Sequence, residues 1–306
     1  MRRLRRRDIF IGVDGGATKT VVRVEDARGR LLGEARSGAA SIRLSVTGSW
    51  QSILDGVEAA LAQAGLRLDD AHCRFFCGAG LAGTEIPSAR ERFVNTPHPF
   101  ARLVLKSDAH AACLGAHGGA DGAVIAIGTG VVAYRIHRGQ ERQISGWGFP
   151  HGDEGSGAWL GLEALRLTLH WLDGRHPASP LLDSVFQHFH RDQTQLVTWA
   201  NQTSASQFAQ LAPLVVEHVE LGTPLAVALI RRAATEIERI GSALAQLDQG
   251  QPLPCSLLGG MAPFIEPWLS ADLRSRLRPR LGDAAAGALL MIRRATPITE
   301  TREHNP

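Results

Sequence analysis

The chain is short of cysteine, of net charge and of long apolar runs, and each shortage removes a class of protein. Four cysteines in 306 residues, Cys73, Cys77, Cys113 and Cys255, show no disulfide framework and no thiolate metal pattern. Cys73 and Cys77 lie four apart in a strand-like run, share a face, and are expected in a core of a reduced, cytoplasmic protein. No apolar stretch approaches the ~20 residues a membrane span needs. No apolar segment with a small-residue cleavage site follows the N-terminal arginines, so no secretory signal is expected. Net charge is only +3, with five arginines (Arg2, Arg3, Arg5, Arg6, Arg7) in the first seven residues, so the remainder is close to neutral. Neither an amphipathic helix nor interleaved aromatics follow that cluster. It reads as a solvated tail, and neither nucleic acid nor a membrane is an expected partner. Low-complexity segments and long linkers are missing too. What is present is ordinary for a globular protein, 44% hydrophobic and 21% charged, at a length that suggests two domains.

Periodicity organises the chain. Ile9 to Asp14 reads as a buried strand, Gly15-Gly16-Ala17-Thr18-Lys19 as a tight turn, Thr20 to Glu25 as a second strand, and Leu31 to Arg36 as a third. Trp50, Ile53, Leu54, Val57, Ala60 and Leu61 share a helical face that stops at Gly65. Arg74–Cys77 and Leu103–Lys106 read as strands, with a short helix after Asp108. The plan then restarts: an apolar strand at Gly122–Ile127, a turn at Gly128-Thr129-Gly130, and strands at Val131–His137 and Arg142–Ser145. Two glycine-turn meanders of this kind indicate a duplicated architecture. The second half is mostly helical, with stripes over Ala158–Trp171 and Pro224–Leu247, a short strand Ser256–Leu258 ending in Gly259-Gly260, and a last helix from Asp283.

Several residues invite chemistry. Glycines in the Asp14–Thr20 turn let backbone N–H groups approach a phosphate, with Thr18 and Lys19 as further donors and Asp14 as a carboxylate for Mg²⁺. Gly128-Thr129-Gly130 offers a second cradle of the same kind. Dinucleotide and Walker loops open helices, whereas strands follow both turns here, so neither motif fits. Asp108, between a strand and a helix, is placed either to accept a proton in phosphoryl transfer or to cap the helix. The run Gly146-Trp147-Gly148-Phe149-Pro150-His151-Gly152-Asp153-Glu154-Gly155-Ser156-Gly157 combines an aromatic ring with carboxylates, a set that suits a sugar unless Trp147 is simply core. His188 and His190 lack acidic or cysteine companions and read as structural.

With these residues assembled, the chain resembles the BadF-type ATPase and eukaryotic-type N-acetylglucosamine kinase family of the actin-like sugar-kinase superfamily, over about Ile9 to Ile292. Bacterial glucosamine kinases are particularly similar: His98-Pro99-Phe100, Ser107-Asp108-Ala109 running into Ala112–His117, Ser179–Asp183 and Thr223–Ala226 look like stretches of that group. The resemblance implies an α/β protein of two actin-like (ribonuclease H-like) domains of duplicated architecture with an interdomain cleft. It places them at residues 8–117 plus a C-terminal helix at about 288–300, and at 118–287 with a helical insertion. It further implies ATP and Mg²⁺ as cofactors and an amino sugar as small-molecule substrate, phosphorylated on its 6-hydroxyl. Asp14 would be the metal ligand, with Gly15, Gly16, Thr18, Lys19, Gly128, Thr129 and Gly130 on phosphate and Gly259 and Gly260 on adenosine. Asp108 would be the catalytic base, and Ser41, Trp147 and Asp153 would face the sugar. The family often has asparagine where Ser41 stands, and serine is shorter with one polar atom fewer. A homodimer is the default assembly. Two alternatives are an activator ATPase for a radical dehydratase or reductase, whose iron–sulfur ligand pattern the cysteines lack, and a sugar-sensing regulator. The eight residues before Ile9 are too few for the regulator's helix-turn-helix. Glucosamine and N-acetylglucosamine stay undivided: an ammonium asks for one more carboxylate near C2, an acetamide for a small apolar pocket.

Overall fold

The computed structural model describes residues 6–247 and 252–296. Arg2, Arg3 and Arg5 of the basic cluster and residues 297–300 of the expected last helix lie outside the described residues. Two compact units form, one from the described residues up to Gly122 and from Arg280 onward, the other from Ala123–Pro279.

The first unit opens with β1 (Arg7–Gly15), β2 (Thr20–Asp26) and β3 (Leu31–Ser37), then α1 (Val46–Ala62), β4 (Cys73–Leu81), α2 (Pro87–Asn95), β5 (Arg102–Ser107) and α3 (Asp108–Ala116). The sheet order is β3-β2-β1-β4-β5, with β1–β3 an antiparallel meander and β4 and β5 parallel to β1. Alternation assigns the faces. Ile9, Ile11 and Val13 turn to one side with Cys73, Phe75, Cys77 and Ala79, where Trp50, Ile53, Val57 and Phe93 close the core. Phe10, Gly12 and Asp14 turn to the other. Trp50 stacks on Phe93 (4.4 Å) and neighbours His98 (5.6 Å) and Phe100 (6.2 Å), so the His98-Pro99-Phe100 stretch belongs to this core wall.

The second unit repeats the plan with β6 (Gly122–Ile127), β7 (Val131–His137) and β8 (Gln140–Ser145). The turn at Arg138 and Gly139 takes positive φ at both residues, the geometry that suits a two-residue hairpin. Helices follow: α4 (Gly157–Leu172), α5 (Pro180–His188), α6 (Gln193–Gln202), α7 (Ala205–Phe208), α8 (Ala212–Glu220) and α9 (Pro224–Gln246). Pro180 and Pro224 occupy first-turn positions, where a missing N–H costs nothing. β9 (Cys255–Leu258) adds parallel to β6, giving the order β8-β7-β6-β9, and α10 (Ala262–Ile265) and α11 (Ala271–Arg276) close the unit.

The last helix, α12 (Ala284–Ala295), packs in the first unit, on the face bearing Phe10, Gly12 and Asp14. Bare backbone makes this possible: a Cβ at Gly12 would lie 2.3 Å from the Ala285 carbonyl oxygen, and one at Gly78 2.0 Å from that of Ala288. Residues 280–287, given to the second domain by the sequence reading, pack with the first unit here, because Asp283 caps α12 and binds Arg23 of β2 through both carboxylate oxygens (2.9 and 2.8 Å). Among the described residues, no single helix is long and apolar enough to cross a membrane.

Candidate active site

In the first unit the strand register sets Gly15 beside Leu81 and Leu81 beside Ser107, so the carboxyl ends of β1, β4 and β5 share one edge. Ligands of parallel sheets gather at such edges. The β1–β2 turn closes through the Gly16 N–H donating to the Lys19 carbonyl (3.0 Å), leaving Thr18 and Lys19 exposed at its tip. Gly15 is required by closeness: a Cβ there would lie 2.5 Å from Leu81 and 2.8 Å from Ala40. The Ala40 N–H donates to the Gly16 carbonyl and the Ile42 N–H to that of Ala82, both at 3.0 Å. Ser41 is buried between them, bridged to Ala82.

Asp14 follows Gly12 on the face covered by α12, within the field of Asp283 and of Asp108. Burial first, then these two carboxylates, raise its carboxyl from 3.8 to about 6, against the pull of Lys19. A carboxylate held against its own repulsion is a favourable place for a cation. One such group with water completing the shell matches how Mg²⁺ is bound. Among the described residues no set of three or more His, Cys, Asp or Glu is arranged around a metal.

Asp108 is the first residue of α3 and not its cap. Ser107 caps, its Oγ accepting from the His110 N–H (3.1 Å), while Asp108 Oδ1 takes the Ala109 N–H (2.8 Å). Burial first raises the Asp108 carboxyl, and the negative charge of Glu85 adds to the rise.

In the second unit, Gly128-Thr129-Gly130 forms a turn closed by the Gly128 N–H on the Gly130 carbonyl (2.9 Å). The first amides of α4 brace it: Gly157 donates to Gly128 (2.8 Å) and Ala158 to Thr129 (3.1 Å). A Cβ on Gly128 would meet nothing within 4 Å, so this backbone borders open space. Gly259 and Gly260 follow β9 alongside, with the Met261 N–H donating to the Ile127 carbonyl (3.0 Å). The neighbouring carboxyl ends of β6 and β9 thus gather both glycine pairs.

Asp153 is buried with φ +65°, and its carboxylate accepts from the Val131 and Gly148 backbone N–H groups. It sits against the second turn, 2.6 Å from where a Cβ on Gly130 would stand. Trp147 is 76% exposed, which removes the reading of it as core. His188 and His190 are exposed flanks of the buried Phe189. The cysteines behave as packing residues. All four are buried and none is in a disulfide, burial pushes the Cys77 thiol up, and that of Cys255 is pushed up to about 12.

Thus Asp14, Gly15, Gly16, Ser41 and Asp108 gather on one sheet edge, and Gly128–Gly130, Asp153, Gly259 and Gly260 on the other unit's edge. Sequence reasoning placed Asp283 at the start of the last helix but missed its bond to Arg23, and it missed Glu85 and the cap role of Ser107. For Ser107, a Ser just before a helical run was an available signal; for Glu85 there was none.

Topologically each unit is a meander extended by parallel strands, and together they make a two-domain actin-like fold. The model of the BadF/BadG/BcrA/BcrD ATPase family matches residues 11–266. The glucosamine kinase GspK of Vibrio cholerae is 36% identical over 281 residues, 92% of this chain and 94% of that one. An N-acetylmuramic acid/N-acetylglucosamine kinase of Clostridium acetobutylicum is 25% identical over 233 residues, 74% of this chain and 76% of its own. The crystal structure of a proposed N-acetylglucosamine kinase from Chromobacterium violaceum superposes with a TM-score of 0.85 at 40% identity, covering 93% of this chain and 98% of that one. The chain belongs to the BadF/BadG/BcrA/BcrD ATPase family.

Proposed function

We propose that this protein is an ATP-dependent amino-sugar kinase that transfers the γ-phosphoryl group of ATP to the 6-hydroxyl of glucosamine or N-acetylglucosamine. The observation that carries the reading is the sheet edge that sets a half-buried Asp14 near an Asp108 whose capping duty Ser107 has taken over. The full-length likeness to a glucosamine kinase supports it.

In this reading Asp108 accepts the hydroxyl proton as the sugar oxygen bonds to phosphorus and the bond to the ADP oxygen breaks. Its raised carboxyl is a better base than an ordinary aspartate. The two glycine turns, closed by their own Gly16 and Gly128 amides, let the phosphates approach the bare backbone of Gly15–Lys19 and Gly128–Gly130, and Thr18, Thr129 and Lys19 supply side-chain donors. Gly259 and Gly260 admit the adenosine. Asp14 would hold Mg²⁺, which when bound neutralises charge on the phosphates. Ser41, Trp147 and Asp153 orient the sugar. Asp153, already holding two amides, also stiffens the second turn.

Phosphorus NMR of the product formed from glucosamine tests the chemistry. Coupling to the C6 methylene protons is expected. Phosphate on the anomeric carbon would overturn the hydroxyl assignment, and no phosphosugar from any hexosamine would overturn the kinase reading.

A further inference from the structure

We propose that Glu85 recognises the 2-ammonium group of glucosamine, so that the free amino sugar is the preferred acceptor over its N-acetylated form. The inference rests on the kinase reading and deepens it.

The chain leaves β4 at Leu81, beside Ser107, and runs through Ala82, Gly83 and Thr84 to Glu85 before α2 begins at Pro87. This loop is fixed against the one that carries Ser41. Ser41 bridges Ala82, and the Ile42 N–H donates to the Ala82 carbonyl (3.0 Å). Gly83, at φ +93°, lies so close that a Cβ would stand 2.5 Å from the Arg43 nitrogen. Arg43 and Glu85 then form an ion pair across the two loops, and both side chains stay more than half exposed. Glu85 is therefore held on the rim that Ser41 and Asp108 share, and its charge reaches Asp108.

That placement suits one end of a hexosamine. C2 lies across the pyranose ring from C5, which bears C6. A carboxylate near Asp108, but with no hydrogen bond to it, therefore matches a 2-substituent when the 6-hydroxyl is at the base. The local charge points the same way: Asp14, Asp108 and Glu85 are three carboxyl groups around this edge, where Lys19 acts on Asp14 and Arg43 pairs with Glu85. An ammonium donates charge-assisted hydrogen bonds to Glu85, whose second oxygen can keep Arg43. An acetamide brings one neutral N–H and a methyl group, and leaves the carboxylate without a charge partner beyond Arg43.

The test measures kcat and KM for glucosamine and N-acetylglucosamine in the unchanged protein, in Glu85→Gln and in Arg43→Met, with melting curves for each. The unchanged protein should prefer glucosamine. Glu85→Gln should lower kcat/KM for glucosamine by about tenfold to a hundredfold, mainly through KM, the range for losing a hydrogen bond to a charged group. Its rate on N-acetylglucosamine should move less than about threefold. Arg43→Met breaks the ion pair while keeping the carboxylate, and should retain the glucosamine preference. A preference for N-acetylglucosamine in the unchanged protein overturns the proposal. So does an equal loss on both sugars in Glu85→Gln, or an Arg43→Met variant that behaves like Glu85→Gln. Phosphorylation of neither sugar by the unchanged protein overturns the kinase reading, and this inference falls with it.

Discussion

Replacing Asp108 by Asn separates chemistry from folding unusually well, because the structure assigns the two tasks to different atoms. Asn keeps the size and the Oδ1 acceptor for the Ala109 N–H (2.8 Å), and Ser107 still caps α3 through the His110 N–H (3.1 Å). The negative charge that is removed was disfavoured, since burial and Glu85 both oppose ionisation there. Stability should therefore be unchanged within about 0.5 kcal/mol, or slightly higher. Turnover should not survive. A positioned base contributes roughly 10²–10⁴ in rate, which at about 1.36 kcal/mol per decade is ~2.7–5.4 kcal/mol of barrier. The assay is ADP release at saturating ATP, Mg²⁺ and amino sugar, beside a melting curve and a nucleotide-binding titration that should both match the unchanged protein. An Asp108→Asn protein that folds normally and keeps a tenth of the turnover or more would refute the assignment of the base.

Other outcomes follow from the same geometry. Asp14 has a carboxyl raised from 3.8 to about 6, so its protonated form favours the fold. That contribution is whole below about pH 3.8 and is lost as pH rises through about 6. The ionised group then costs ~3 kcal/mol. Metal-free Asp14→Asn should accordingly melt higher than the unchanged protein at pH 8, with the gain vanishing near pH 4, and Mg²⁺ should raise the melting point of the unchanged protein alone. Gly287→Ala puts a Cβ 1.8 Å from the Ala111 carbonyl oxygen between α3 and α12, so it should destabilise by about 1–3 kcal/mol in a denaturant titration. Gly260→Ala meets nothing within 4 Å, so it should leave stability alone and raise KM for ATP. Trp147→Ala, at a 76% exposed side chain, should leave the melting point unchanged. It should raise KM for the sugar severalfold, about the worth of one ring contact.

Much of this architecture could be read from residue order. Both meanders showed because strands buried on one or both faces announce themselves by period and by the glycine turns between them. The α9 stripe showed because 23 residues give the helical period room to declare itself. The α2 helix was not legible: Ala89 and Phe93 are its two buried residues, too few to set a period. The phosphate-type turns could be nominated, yet the reason for Gly12 and Gly78 lay 200 residues and more downstream, in the helix that presses on them. The same distance hid the bond of Asp283 to Arg23, 260 positions away. Glu163 was hidden for another reason: a carboxylate within the apolar α4 stretch is buried because Arg166, one turn on, and Arg232 of α9 hold it. Whether Asp108 capped its helix was open from sequence, since Ser107 and Asp108 are both good caps and only the geometry selects one.

Whether this protein is an amino-sugar kinase is decided by ADP release from ATP and Mg²⁺ with glucosamine, N-acetylglucosamine, glucose and N-acetylmannosamine offered in parallel. Release should depend on a hexosamine and be greatest with glucosamine. Release that no sugar stimulates, or that glucose stimulates as well as either amino sugar, would contradict that reading.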